Sequence, residues 1–133
     1  MRETSAAMGL VDGVAGHFLD ITRFLKEARS TDIYKRLGAL ASETAQLLGR
    51  TFDEMREFDL AWDCYAFALS MAQEINQNDL WASGALRLAE LIWEWGDPRD
   101  ALPFLERAQK RGISDQRLRV WLSAVELYCT TAL

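Results

Sequence analysis

The side chains that could perform catalysis are few in this chain and form no catalytic pattern. His17 is the single histidine, with no cysteine, serine or carboxylate pattern nearby that would make a convincing nucleophile and base. One imidazole cannot supply the two or more that a catalytic zinc site normally uses, and Cys64 and Cys129 lack metal-ligand spacing. The glycines within residues 9–16 are not a phosphate loop, because no Gly-Lys-Ser/Thr follows them. We therefore expect no enzyme activity and no cofactor or metal.

Composition and charge narrow the function further. The chain has 133 residues, of which 50% are hydrophobic, so it can bury a continuous core without metal or disulfide staples. Its 20 acidic and 15 basic residues give a net charge of −5, which disfavours direct binding to nucleic acid. The N-terminus lacks the basic and apolar regions of a signal peptide, and no apolar stretch approaches a membrane span. We expect a cytoplasmic protein with two buried, reduced thiols.

The elements that must position any binding residues are predicted to be helices almost throughout. Apolar residues recur at spacings of three and four, and short polar segments separate the periodic stretches. Gly96 is suited to a left-handed helix C-cap, Pro98 to the first turn of the next helix, and Gly112 to a helix end. The six predicted helices cover approximately residues 5–28, 31–55, 57–75, 79–95, 98–111 and 114–130.

A motif of small and large apolar residues recurs along the chain 40 residues later. The first copy comprises Leu48-Gly49, Phe52, Ala61, Tyr65 and Ala68, and the second comprises Leu88-Ala89, Ile92, Ala101, Leu105 and Ala108. A partial third copy comprises Trp121, Ala124-Val125 and Tyr128. Self-similarity at this period is typical of helical hairpins that each need a neighbour to bury their apolar face.

These residues resemble the tetratricopeptide repeat (TPR) family over roughly residues 38–130. The family's hairpin carries Leu-Gly and an aromatic in its first helix, and Ala, an aromatic and Ala in its second. The resemblance implies an all-α, TPR-like right-handed α-solenoid of about six antiparallel helices, with a generic helical bundle as the alternative. Residues 1–133 would form one domain, with a leading helix at 1–30, hairpins at 31–76 and 79–111, and a terminal helix at 114–131.

Three phrases narrow the resemblance to one subgroup. They read Leu-Gly-Arg-Thr-Phe, Ala-Gln-Glu-Ile-Asn-Gln-Asn-Asp and Trp-Gly-Asp-Pro-Arg-Asp-Ala-Leu. They are similar to the C-terminal repeat regions of bacterial transcriptional regulators that carry an N-terminal helix-turn-helix. In that subgroup the repeats sense a ligand, bind a peptide or dimerise. Because this chain has no identifiable helix-turn-helix, any DNA binding would lie outside it.

The family's groove pattern, applied to this sequence, predicts a ligand site on the concave surface formed by the first helix of each hairpin. The predicted groove residues are Glu43, Gln46, Arg50, Asp53, Leu86, Glu90, Trp93, Arg119, Leu122 and Glu126. This set is mostly acidic, with Trp93 as the tryptophan we expect to be exposed. An extended peptide or protein segment carrying a basic residue, or a small cationic or amphipathic effector, would match it. The lysines and asparagines with which the chaperone-binding subgroup clamps a carboxylate are missing.

Two functions therefore remain open. One is a regulatory binding module with an occupied groove, and the other is a structural scaffold that dimerises and has no groove ligand. Self-association would use an apolar surface near the C-terminus that contains Trp121, Val125 and Tyr128. The alternative for those residues is ordinary packing on the fifth helix, and the alternative for the groove carboxylates is a solvated helix face with local ion pairs.

Overall fold

The protein is all-helical over the part of the chain that the structure describes. The computed structural model describes the backbone of residues 2–131 and the side chains of residues 9–131. Its helices are α1 (Arg2–Glu27), α2 (Thr31–Glu54), α3 (Phe58–Glu74), α4 (Asn78–Trp95), a 3₁₀ turn (Pro98–Ala101), α5 (Leu102–Lys110) and α6 (Gln116–Thr131). The all-α class and the six packed helices predicted from periodicity are confirmed. Every predicted boundary lies within a few residues of the observed one.

The turns after α2 and α3 are two copies of one capping motif. Arg56 and Asn76 adopt left-handed backbone angles, with φ of 62° and 58°. The next residue in each turn donates its N–H back into the preceding helix, from Glu57 to the Phe52 carbonyl (2.8 Å) and from Gln77 to the Ala72 carbonyl (2.9 Å). These are Schellman motifs, which satisfy the last carbonyls of a helix and reverse the chain sharply.

The turn after α4 is built differently, and the left-handed cap predicted at Gly96 was wrong. Gly96 is extended, with φ −136° and ψ −152°. Pro98 follows two residues later and favours the extended conformation seen at Asp97, the residue between them, with φ −88° and ψ 118°. Asp97 instead caps the 3₁₀ turn, accepting a hydrogen bond from the Arg99 N–H at 3.0 Å.

The order of packing places α2, α4 and α6 side by side. Each helix packs on its neighbour in sequence, and α4 also packs on both α2 and α6. The helices α1 and α3 contact each other through Phe18 and Phe67. These two rings form an edge-to-face pair with centroids 5.0 Å apart. The first helices of successive hairpins therefore lie next to one another, as they must if they are to share one binding surface.

The repeated motif forms the core. Leu48, Ala61, Tyr65, Ala68, Leu88, Ala89, Ile92, Ala101, Leu105 and Ala108 are all buried, and Gly49 is buried with them. Phe52 is half-buried and packs against the same cluster. A smaller cluster joins α1 to α2 and α3 through Ile21, Leu25, Ala41, Met71 and Ile75. The positions shared by the first two copies are thus positions where helices meet, whereas Ala124 and Tyr128 of the partial third copy are exposed.

The start of α4 is tied to the loop before α6. The Asp79 carboxylate accepts hydrogen bonds from the Ser114 N–H (2.8 Å), the Ser114 hydroxyl (2.5 Å) and the Asp115 N–H (3.2 Å). Asp115 in turn accepts from the Arg117 N–H at 2.8 Å in the first turn of α6. These bonds fix where α6 begins relative to α4. No helix within residues 2–131 has the length and apolar content that crossing a membrane requires.

Candidate functional site

A groove of about 430 Å³ runs between α4 and α6 and is half open to solvent. Its walls are mainly Glu90, Trp93 and Glu94 from α4 and Trp121, Val125 and Tyr128 from α6. The spacing of three or four residues within each set puts the side chains on one face of each helix. The opposite face of α4, which includes Leu88 and Leu91, is buried in the core. Local helix geometry therefore positions every wall of this groove.

Aromatic side chains define the groove. The rings of Trp93 and Tyr128, one from each wall, contact each other with centroids 6.0 Å apart and ring planes inclined by 56°. Both rings are unusually open for their size, with 46% of Trp93 and 64% of Tyr128 exposed. Trp121 is half-buried beneath them, and the Arg87 guanidinium lies 5.3 Å from the centroid of its ring. Two large apolar surfaces thus remain available to a ligand.

The electrostatics of the groove are acidic. Glu90 and Glu94 stand one helical turn apart on α4, and neither takes part in an ion pair within the described residues. Partial removal from water raises the pKa of Glu90, and the nearby Asp53 and Glu94 carboxylates add to the rise. The Trp121 indole and the Arg87 guanidinium oppose it. Although Glu90 is exposed by surface area, its carboxylate is therefore surrounded by enough protein to feel these neighbours.

A second, shallower depression of about 270 Å³ lies between α2 and α4. Gln46 and Ser83 exchange hydrogen bonds across it, with the Gln46 amide donating at 3.0 Å and the Ser83 hydroxyl donating at 3.1 Å. Arg50 is paired with Glu54 at 3.4 Å on the exposed surface. Polar contacts between helices already occupy much of this depression.

The structure brings together only part of the set of groove residues predicted from the sequence. Glu90 and Trp93 share the α4–α6 groove, and Trp93 is exposed as expected. Glu43, Gln46 and Arg50 line the α2–α4 depression instead. Asp53 accepts a hydrogen bond from the Trp95 indole N–H at 3.0 Å, near the C-terminal ends of α2 and α4.

The remaining predicted residues do not line the groove. Leu86 and Leu122 are buried in the main core cluster, because α4 and α6 pack directly on each other at their level, and so they are closed to a ligand. Arg119 lies beside a separate depression that faces α5. Glu126 accepts a hydrogen bond from the Gln109 side chain of α5 at 2.6 Å. The face of α6 assigned to the groove was therefore wrong.

The face that does line the groove carries the residues assigned to self-association. Trp121, Val125 and Tyr128 all stand in its wall. Sequence reasoning missed Glu94 and Arg87. Their spacing from Glu90, four residues after it and three residues before it, was the available signal, because helix positions three or four apart are neighbours.

The described residues contain no cluster of three or more potential metal-ligating side chains. Both thiols are free: Cys129 is buried on the core side of α6 and Cys64 is half-buried on α3. Comparison with protein-family models, with curated proteins and with solved structures gave no match. The chemistry of the α4–α6 groove is therefore the basis on which function can be inferred.

Proposed function

We propose that this chain is a TPR-like ligand-binding module whose α4–α6 groove takes a peptide, a protein segment or a small effector. Burial of the repeated motif in register supports the TPR-like solenoid, as does the lateral packing of α2, α4 and α6. The proposal extends to a cytoplasmic role as the regulatory part of a bacterial transcriptional regulator, which the resemblance of the three sequence phrases supports. Sequencing the coding region upstream of Met1 tests that role, which requires a helix-turn-helix there.

The observation that carries the proposal is the pair of exposed rings, Trp93 and Tyr128, on opposite walls of one groove. Complete burial of a large apolar side chain gains roughly 1.5–3 kcal/mol, and each of these half-exposed rings forgoes part of that gain. A ligand that covers both rings recovers part of that free energy, and tryptophan and tyrosine are enriched among the residues that dominate binding. Exposed aromatics in a concave site are therefore better explained by binding than by folding.

The same lining argues against catalysis. The described groove walls contain no serine, cysteine, histidine or lysine, and their carboxylates and the Tyr128 hydroxyl have no histidine or lysine beside them in these walls to act as a partner base. The Cys64 thiol, on α3, is not among the groove walls, and burial together with Asp63 raises its pKa to about 11. We therefore propose recognition rather than catalysis as the role of the groove.

Affinity capture with matched variants tests the proposal. Wild-type protein, Trp93→Ala and Tyr128→Ala are immobilised and exposed to extract of the native host, with Phe24→Ala as a control because Phe24 is an exposed ring on α1. Mass spectrometry should find a protein or small molecule retained by wild type and Phe24→Ala and lost from both groove variants, with unchanged circular dichroism. Identical eluates from all four proteins would contradict a role for the groove.

A scaffold is the second candidate, because α6 also exposes apolar residues outside the groove. Val120 and Leu127 are 63% and 64% exposed and lie two turns apart on one face. If this face dimerises the protein, Val120→Glu and Leu127→Glu should give monomers in sedimentation equilibrium while wild type is a dimer. A wild-type monomer would exclude the scaffold.

A further inference from the structure

We infer that the occupant of the α4–α6 groove is an extended peptide segment that inserts a lysine or arginine side chain between the Trp93 ring and the carboxylates of Glu90 and Glu94. This inference rests on the proposed function and specifies its ligand. It draws on three independent features of the groove, namely its charge, its aromatic faces and its open shape.

The charge of the groove is only partly compensated. Its walls carry two carboxylates and no basic side chain, and neither carboxylate is ion-paired within the described residues. Arg87 is the nearest contributor of positive charge and lies over the Trp121 ring rather than in the groove. A ligand cation would supply the missing partner through charge-assisted hydrogen bonds. The net charge of −5 favours encounter with basic segments as well.

The aromatic faces suit the same cation. The chain already holds one guanidinium over a groove tryptophan, since Arg87 stands 5.3 Å from the Trp121 centroid. Trp93 and Tyr128 present two further rings beside the carboxylates, and neither ring is within cation–π distance of a basic side chain in the described part of the chain. A cation over such a ring gains about 0.5–2 kcal/mol. Lysine and arginine also bring an apolar stem that can cover ring surface.

The shape favours a peptide over a free small molecule. Sites for small molecules typically enclose 70–90% of the ligand surface, whereas this groove lies at the surface between two helices and leaves 46% of Trp93 and 64% of Tyr128 exposed. The α2–α4 depression adjoins it on the same layer of helices, and Arg87 lies at the border between the two. An extended segment can insert one side chain between α4 and α6 and continue across α4 to the α2–α4 depression, where Glu43 offers a carboxylate.

A peptide library with one fixed position tests this inference directly. Pools of degenerate peptides carry arginine, lysine, citrulline, norleucine or glutamate at the centre. Citrulline keeps the shape of arginine but removes the charge. Each pool is titrated against wild type, Trp93→Ala and the double variant Glu90→Gln, Glu94→Gln. Glu106→Gln, which removes an exposed carboxylate on α5, is the control. Both Gln substitutions keep side-chain size at exposed positions, and circular dichroism verifies folding.

Wild type and Glu106→Gln should bind the arginine and lysine pools about 10-fold more tightly than the citrulline and norleucine pools, as expected for one charge-assisted contact. The double Gln variant should lose this preference while retaining weak, charge-independent binding. Trp93→Ala should lose binding of every pool. Added salt should weaken the basic pools selectively, because the groove is open to solvent.

The failures are distinguishable. If all pools bound equally and binding depended on Trp93, the requirement for a basic side chain would be contradicted, but the proposed function would stand. If no pool bound wild type more tightly than it bound Trp93→Ala, the inference that the ligand is a peptide would be contradicted. In that case, arginine methyl ester and choline are titrated into the protein and binding is monitored by tryptophan fluorescence, which tests whether the groove binds a small cation instead. Trp93-dependent binding of either would keep a small effector as the ligand, and no binding of either would count against the proposed groove function itself.

Discussion

Gly49 of α2 lies directly against the phenol ring of Tyr65 of α3. A Cβ atom built on Gly49 would stand 2.5 Å from the ring, and Tyr65 is itself buried. The glycine therefore lets the two helices of this hairpin approach each other closely. Both residues belong to the repeated sequence motif, so the motif encodes how closely the helices pack.

Gly49→Ala should lower the free energy of unfolding by about 1–3 kcal/mol, the usual cost of overpacking a core. The buried ring has no room to move away, and the loss exceeds the gain in helix propensity from alanine. Urea denaturation followed by circular dichroism measures it. The control is Gly13→Ala on α1, where a Cβ meets nothing within 4 Å and which should stabilise the protein by about 0.5–1 kcal/mol. Equal effects of the two substitutions would contradict the close contact.

Two tryptophans of α4 should respond oppositely to truncation. Trp81 is 1% exposed and Trp93 is 46% exposed. Trp81→Ala should cost about 3–5 kcal/mol because it leaves a large cavity, whereas Trp93→Ala should cost less than about 1 kcal/mol. Thermal and urea unfolding measure both. A large loss for Trp93→Ala would mean that this ring serves the fold rather than a ligand.

Glu90→Gln should stabilise the protein near neutral pH. Because the folded state raises the pKa of Glu90, its acid form is favoured by folding, and stability is lost as the pH rises through that pKa. The advantage of Gln should be absent below about pH 4, where Glu is protonated in both states, and should grow above it. We expect a gain of about 0.5 kcal/mol or less, since the residue is exposed. Urea titrations across this pH range check it, with Glu106→Gln as control.

Asp79→Asn should have the opposite pH dependence. Hydrogen bonds from Ser114 and Asp115 lower the pKa of Asp79, so its contribution to stability is present above the unfolded pKa of about 3.9 and is lost as the pH falls through the folded value. Asparagine can accept fewer of those bonds, and we expect a loss of about 1–3 kcal/mol near neutral pH that shrinks in acid. Urea denaturation near neutral pH and in acid measures this difference in the free energy of unfolding. Asp63→Asn, at an exposed position of α3, should show no such loss.

Neither thiol should react readily in the folded protein. With the pKa of Cys64 raised to about 11, its thiolate fraction at about pH 8 is roughly 100-fold below that of an unperturbed thiol. Cys129 is fully buried. Peptide mapping after iodoacetamide treatment should show slow labelling of Cys64 and none of Cys129, with rapid labelling of both in concentrated urea. Fast labelling of native Cys64 would show that its surroundings are open.

Features fixed by local chemistry could be predicted from the sequence. Helix boundaries followed from apolar periodicity and polar breaks, and the repeat of Leu48-Gly49 at Leu88-Ala89 identified residues that are buried together. The exposure of Trp93 was also anticipated. Such features depend on residues near each other in the chain, or on a register that the repeat makes visible.

Features that depend on the relative placement of helices could not be predicted. Leu86 shares a helix face with Glu90, yet α6 covers one and leaves the other open. Arg119 and Glu126 lie toward α5 because the loop bonded to Asp79 sets the start of α6. Gly96 is extended although its residue type and position suit a left-handed cap. A family pattern laid over the sequence assigns a face to α6, but only the packed structure determines its rotation.

Tyr128 lies near the C-terminal end of α6, so a small tilt of this helix about its N-terminal end displaces Tyr128 by a large distance. Its 16 residues span about 24 Å, so a tilt of only about 5° about Gln116 would carry the end at Thr131 through roughly 2 Å. The hydrogen bonds of Asp79 hold the residues just before Gln116 in place, whereas the groove residues of α6 lie farther along the helix. A ligand that covers the exposed faces of Trp93 and Tyr128 thus acts near the end of α6 where a small tilt produces the largest displacement.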